Sequence, residues 1–278
     1  MTEHVGLLGW PVTHSVSPAM HNVAFQFLGL DWRYDLLPVP PDRFAAEVAR
    51  LVAAGYRGFN VTIPHKEAVL ALPAVSVATA ATRAIGAANT LTVQPDGSLC
   101  ADNTDWRGFA DDLWSQKIAA AGATCLVLGT GGSARAVVHA LVHLGAGHIT
   151  LISRAQANGR TLAGWPVAGY DNLAALAPDA DLIVNCTPVG MFPNGKESPW
   201  PQEVPFPPGA VLYDLVYNPP VTALMRQAKA ARARALGGLG MLARQGALSF
   251  AQWVGIAPPL VIMAGAAQAA LRDSARDL

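Results

Sequence analysis

The sequence predicts a two-domain α/β protein. Three observations carry this. Short, continuously apolar runs such as Cys125–Leu128, Ile149–Ile152 and Leu182–Val184 are separated by stretches of helical period, the pattern of parallel strands covered on both faces. One run passes straight into glycines and then a helix, Leu126-Val-Leu-Gly129-Thr130-Gly131-Gly132-Ser133-Ala134. The length, 278 residues, suits one large or two modest domains, each able to bury a core. The glycine run marks the second domain as dinucleotide-binding and Rossmann-like, because glycines allow a tight turn and a helix N-terminus offers free N–H groups to a pyrophosphate.

The elements follow in order. His4–Gly9 reads as a strand, and Ser17–Gly29 as a helix with Ser17 at its N-cap and Pro18 in its first turn. Trp32–Val39 is a strand, and Asp42–Ala54 a helix with Phe44, Val48, Leu51 and Val52 on one side. Gly58–Thr62 is a third strand. Pro64 is expected to start a helix carrying Lys66, and Asn89–Val93 is a further strand. From Asp105 a helix runs through Trp114. Strands at Cys125–Leu128, Ile149–Ile152, Leu182–Val184 and Val211–Asp214 follow, with a helix to Leu144 after the glycines. Pro193–Pro208 reads as a loop, and Met225–Ala233 as an alanine-rich helix with a solvated face. The boundaries are therefore residues 1–104 and 105–240. Helices over Met241–Val254 and Pro259–Leu271 fit either unit on periodicity alone.

Composition excludes several functions. Nineteen Lys and Arg balance nineteen Asp and Glu, so no bulk field gathers nucleic acid or an anionic membrane. The uncharged run between Arg244 and Arg272 is broken by Pro258-Pro259 and several glycines, and reads as two packed helices, not a membrane span. No signal peptide is visible at the N-terminus, and Cys100, Cys125 and Cys186 form no CxxC pair; both point to a reducing cytoplasm. Asn60-Val-Thr62 and Asn185-Cys-Thr187 match the glycosylation pattern, which an unexported chain does not use. His139 and His143 lie four apart on a helix with no carboxylate beside them, so no metal site is expected.

The cofactor can be read further. A fold that prefers NAD carries an acid at the end of the next strand to hold the ribose 2′-OH. Here that segment is Ser153-Arg154-Ala-Gln-Ala-Asn158-Gly-Arg160, without an acid, and Arg154 suits a 2′-phosphate. NADP is the expected cofactor. In the first unit, Asn60-Val-Thr62-Ile-Pro64-His65-Lys66 places one of only four lysines just beyond a strand. Asp102-Asn-Thr-Asp105 could supply its carboxylate partner, and a Lys–Asp pair can move a proton during carbonyl reduction.

Eight runs, in order, resemble the shikimate dehydrogenase family. They are Gly9-Trp-Pro-Val-Thr-His-Ser15-Val-Ser17-Pro18, Asn60 to Lys66, Ala87-Ala-Asn89-Thr90, Asp102 to Asp105, Gly129 to Ala134, Asn185-Cys-Thr187-Pro-Val-Gly190-Met191, Tyr213-Asp-Leu-Val-Tyr217-Asn-Pro and Gly238-Leu-Gly-Met-Leu-Ala-Arg-Gln245-Gly-Ala. The resemblance implies reversible, NADPH-dependent reduction of 3-dehydroshikimate to shikimate on the route to chorismate and the aromatic amino acids. It implies Lys66 and Asp105 as the catalytic pair. Ser15, Ser17 and Tyr217 would meet the substrate carboxylate, and Thr62, Asn89 and Gln245 its ring hydroxyls. Gly129, Thr130, Gly131, Gly132 and Ser133 would cradle the pyrophosphate, and Ser153 and Arg154 the adenosine phosphate. Thr187, Val189, Met191, Leu215 and Gly238 would line the nicotinamide side. The last helices, residues 241–278, would return to the substrate domain. A monomer or homodimer is implied, with a small-molecule substrate and no nucleic-acid or membrane partner.

The chain departs from the family at Ala155 and Asn158, where the family carries Thr and a second Arg, and at His65, where many members carry Phe. The first departure leaves weaker NAD use, or a quinate/shikimate dehydrogenase, as the alternative. A catalytically silent nucleotide-sensing module would be expected to lose the acid–base pair, and both residues stand here.

Overall fold

The computed structural model describes residues 2–154 and 160–274. The chain divides into two compact units, Met1–Gly108 with Leu242–Leu278, and Phe109–Met241.

The first unit is built on a six-stranded sheet. Its elements are β1 (Glu3–Gly9), α1 (Ser17–Phe27), β2 (Trp32–Pro38), α2 (Phe44–Ala53), β3 (Tyr56–Val61), β4 (Val75–Ala78), α3 (Ala80–Ile85), β5 (Thr90–Val93) and β6 (Leu99–Asp102). The strand order is β2-β1-β3-β5-β6-β4. β1 runs parallel to β2 and β3, whereas β5 is antiparallel to both β3 and β6. Leu8, Phe44, Val48, Leu51, Phe59 and Leu91 form the core under α2. The helix α4 (Asp105–Ser115) leaves this unit, and α8 (Leu239–Val254) and α9 (Leu260–Ser274) close it. Gly58 lets α8 lie on the sheet, because a Cβ there would meet the Trp253 ring at 2.2 Å. Trp253 Nε1 donates to Leu91 O at 3.0 Å.

The second unit contains β7 (Thr124–Leu128), α5 (Gly132–His143), β8 (His148–Ser153), β9 (Thr161–Leu162), β10 (Trp165–Gly169), α6 (Leu173–Leu176), β11 (Leu182–Asn185), β12 (Val211–Asp214), α7 (Ala223–Ala230) and β13 (Arg234–Gly237). The order is β13-β12-β11-β7-β8-β10-β9, parallel except for β9. From β7 the chain winds out through β8 and β10, then returns to the other side through β11, β12 and β13. The order therefore reverses between β7 and β11, and ligands of open α/β sheets bind beyond the strand ends at such a switch. Leu126, Leu128, Ile183, Trp200, Leu212 and Leu224 belong to its core.

Several expectations need correction. No α-helix starts at Pro64. The chain turns there, with His65 N donating to Thr62 O at 2.9 Å, and only a 3-10 turn over Ala68–Ala71 follows. Lys66 thus sits on a turn. Ser17 is the first helical residue, not the N-cap; that position is Val16. The helix expected to reach Ala233 stops at Ala230, and Arg232, at φ +63°, swings the chain into β13. Among the described residues, no helix is long and apolar enough to cross a membrane.

Candidate active site

In the first unit, the ends of β1, β3 and β5 gather the polar residues. Lys66 Nζ donates to Asp105 Oδ2 at 2.7 Å, and the two side chains are only 13% and 6% exposed. A pair so shielded is screened little by salt and is costly to break one-sidedly. Lys66 O is held by Ala88 N at 2.8 Å, so the turn bearing the lysine is fixed to the loop before β5. Asp105 opens α4, where a carboxylate is favoured by the helix dipole. Its other oxygen, Oδ1, accepts from Asn89 Nδ2 at 2.9 Å.

Asn89 is the centre of a buried network. Its amide also donates to Gln245 Oε1 at 3.1 Å and Thr104 Oγ1 at 2.9 Å, and its Oδ1 accepts Thr104 N at 2.7 Å. Gln245 Nε2 donates to Leu242 O at 2.9 Å, within its own helix α8. Gly108 makes this contact possible, since a Cβ there would lie 2.8 Å from Gln245 N. Lys66, Asp105, Asn89 and Gln245 therefore form one connected group.

Ser15 and Ser17 are joined to each other in the loop after β1, and Thr62 directly follows β3. Ser15 Oγ accepts Ser17 N at 3.2 Å and donates to Ser17 Oγ at 3.1 Å. A Cβ on Gly9 would lie 2.4 Å from Thr62 Cγ2, so only glycine lets the loop after β1 press against the end of β3. Trp10 N donates to Ile63 O at 2.9 Å across that contact. The loop that carries Ser15 and Ser17 and the turn that carries Thr62 thus begin side by side at the ends of β1 and β3.

In the second unit, Gly129 follows β7 at φ +106°, a conformation natural only to glycine. A Cβ there would stand 3.3 Å from Thr187 Cγ2, so the glycine turn and the loop after β11 touch. Gly131 precedes α5, and a Cβ on it would meet nothing within 4 Å. That space at the N-terminus of α5, where helix N–H groups point outward, fits a pyrophosphate. A cleft of about 980 Å³ is lined by Ser153, Arg154, Thr187 and Val189, together with Tyr170 and Lys196. No acid ends β8, so the donor set fits a 2′-phosphate and thus NADP. Burial pushes the Tyr170 phenol upward, and the nearby Arg154 opposes the shift. Gly129, Thr130, Gly131, Gly132 and Ser133 do not line this cleft, nor do Met191, Leu215, Tyr217 and Gly238. Gly238 instead abuts Leu215, whose carbonyl oxygen would be 2.1 Å from a Cβ. Ala155 and Asn158 lie outside the described residues, as do Gln156, Ala157 and Gly159.

Known relatives of the chain decide its family. The shikimate dehydrogenase substrate binding domain matches residues 7–91, and the shikimate 5′-dehydrogenase C-terminal domain matches residues 238–268. A shikimate dehydrogenase (NADP(+)) of Citrifermentans bemidjiense is 42% identical, over 93% of this chain and 92% of its own. The chain belongs to the shikimate dehydrogenase family. Among solved structures of that family, the Thermus thermophilus enzyme in complex with NADP(H) and shikimate is 37% identical, with a TM-score of 0.86 over 97% of this chain and 100% of its own. The Listeria monocytogenes enzyme, described in complex with shikimate and NAD, is 28% identical, with a TM-score of 0.80 over 94% of this chain and 95% of its own.

Several contributors escaped the sequence reading. Thr90, Thr104 and Ser249 complete the network around Asn89, with Ser249 Oγ 2.8 Å from Thr90 Oγ1 and 3.2 Å from Thr104 Oγ1. Asp214 is fully buried and bonded to Asn185, and its place inside a matched motif was the available signal. His65 stacks on Phe44 at 4.0 Å and 6°, and its Nε2 donates to Val39 O at 2.7 Å. It fills an aromatic position and also ties down the turn that carries Lys66.

Proposed function

We propose that this protein reduces 3-dehydroshikimate to shikimate, reversibly, with NADPH, in the shikimate pathway. The observation that carries the reading is the 2.7 Å pair between Lys66 Nζ and Asp105 Oδ2, set among hydroxyl and amide groups suited to a small polyol acid. Bound NADPH supplies the hydride to the carbonyl carbon. Lys66 Nζ gives its proton to the carbonyl oxygen as that oxygen gains charge, and removes it in the reverse direction. Asp105 holds the ammonium in place and accepts from a ring hydroxyl. Thr62, Asn89 and Gln245 read the other hydroxyls. Site groups left without their hydroxyl partner penalise analogues that lack it. Ser15 and Ser17 take the carboxylate, with Tyr217 assisting. The Gly129–Ser133 turn, Ser153 and Arg154 hold the phosphates. Thr187, Val189, Met191, Leu215 and Gly238 face the nicotinamide. The chain works in the cytoplasm as a monomer or homodimer, which size-exclusion chromatography with light scattering distinguishes.

The test is oxidation of shikimate with NADP⁺, followed by NADPH absorbance. Lys66→Ala is expected to lose about 10²–10⁴-fold in kcat, the range for a positioned general acid. Turnover equal in the wild type and this variant refutes the assignment. A second reading, quinate/shikimate oxidation with NAD, draws on the Listeria relative's complex with NAD. Comparing kcat/KM for the four substrate–cofactor pairs separates the two, and a hundredfold preference for shikimate with NADP removes the second.

A further inference from the structure

Asp214 is a buried carboxylate with no part in the proton transfer. Its position is nevertheless central to the second unit. It ends β12 and is 0% exposed. Oδ1 accepts from Asn185 Nδ2 at 2.8 Å and from Val216 N at 3.1 Å, and Oδ2 accepts from Thr222 Oγ1 at 2.6 Å. Three segments therefore converge on one side chain: the end of β11, the turn after β12, and the N-terminus of α7, where Thr222 is the cap.

The bonds to Asn185 and Val216 lead onward to residues assigned to the nicotinamide side, and the bond to Thr222 anchors the cap of α7. With its amide nitrogen committed to Asp214, Asn185 can turn only its oxygen outward. That oxygen accepts both Thr187 N at 3.0 Å and Thr187 Oγ1 at 2.7 Å. Thr187 Oγ1 in turn accepts Val189 N at 3.3 Å. On the other side, Val216 O accepts Gly238 N at 3.3 Å, and Leu215 N donates to Asn185 O at 3.0 Å. Thr187, Val189, Leu215 and Gly238 are thus set by a hydrogen-bond tree rooted in Asp214. An amide free to flip would present NH2 to two Thr187 donors, so the carboxylate also fixes which way Asn185 points.

We infer that Asp214 is a positioning residue for the cofactor, acting through Asn185 on Thr187 and through the backbone on Leu215 and Gly238. This rests on the reading that those residues face the nicotinamide. Networks of this kind are coupled, so removing either member breaks the same chain.

The test measures NADPH affinity directly, by fluorescence of the bound cofactor, beside steady-state kinetics. Asp214→Ala and Asn185→Ala are each expected to raise the NADPH Kd about tenfold or more, with the shikimate KM within twofold of wild type. The double variant is expected to be no worse than the poorer single one. Asp214→Asn keeps an acceptor for Asn185 and Val216 and a polar partner for Thr222, and is expected to restore most of the affinity. A merely structural role would lower Tm while leaving the Kd of the folded protein unchanged. An unchanged Kd in either alanine variant overturns the inference. If Asp214→Ala does not fold, Asn185→Ala alone decides. A wild-type protein that fails to bind NADPH refutes the functional reading itself, whereas wild-type binding matched by the variants refutes only the role of Asp214.

Discussion

His21 sets a pH limit on the first unit that can be worked from its surroundings. The ring is 0% exposed and lies parallel to Tyr34, with centroids 4.3 Å apart and planes at 6°. Phe25, Phe250 and Trp253 surround it. Neither ring nitrogen meets a hydrogen-bond partner. Burial alone pushes the imidazole down to about 3 from 6.5. The folded value lies below the unfolded one, so the proton binds the unfolded chain first. Above 6.5 both states are neutral and nothing is lost. As pH falls from 6.5 toward 3, stability drops by up to about 1.4 kcal/mol per pH unit. At about pH 4.5 the loss is about 3 kcal/mol, a large fraction of an ordinary domain's stability. His21→Phe removes the titrating group and keeps an aromatic ring. Urea unfolding at about pH 7.5 and 4.5, followed by tryptophan fluorescence, should show a wild-type loss that exceeds the variant's by about 3 kcal/mol. Equal losses in the two proteins, or an NMR titration of the His21 ring centred above about pH 5, would refute the reasoning.

Four further substitutions have expected outcomes. Gly131→Ala should fold with an unchanged Tm, because its Cβ enters open space, yet weaken NADPH binding about tenfold by occupying the phosphate position; Gly129→Ala should lower Tm as well, by forcing φ +106° on a side chain against Thr187. Gly108→Ala should push Gln245 out of line, cost about 1–3 kcal/mol in thermal unfolding and raise the shikimate KM while sparing the NADPH Kd. Arg154→Ala should weaken NADPH binding about tenfold or more and leave NADH binding within twofold, as read by fluorescence titration with both cofactors.

Much of the second unit was legible because its strands are buried on both faces. Cys125, Leu126, Val127 and Leu128 are all inside, so the run is apolar throughout and needs no alternation to be recognised. β4, β9 and β13 carry no such mark. Val75–Ala78 is half exposed, and Arg234–Gly237 is an edge strand whose Ala and Arg continue the texture of the helix before it. The antiparallel placement of β5 in the first sheet was hidden too, since a single strand's sequence does not state its partner's direction. Lys66 and Asp105 stood out as polar groups at strand ends, but their meeting depends on the turn at Pro64 being a turn, where Pro and Lys suggested a helix start. The network around Asn89 joins residues 156 positions apart, and no local pattern encodes that contact. Asp214 was overlooked for a related reason: one acid ending an apolar strand looks the same whether it faces water or three buried donors.

α5 begins after Gly131, a residue with no side chain to cap the helix. A phosphate seated on those amides does what a serine or aspartate does for other helices. The cofactor is then part of the second unit's own stability. At a free concentration about a hundred times Kd, mass action adds about 2.7 kcal/mol to the folded state. The lifetime of the enzyme in a cell becomes tied to its nucleotide pool, oxidised and reduced alike, since both forms carry the same pyrophosphate: depletion slows the reaction and also opens the chain to proteolysis.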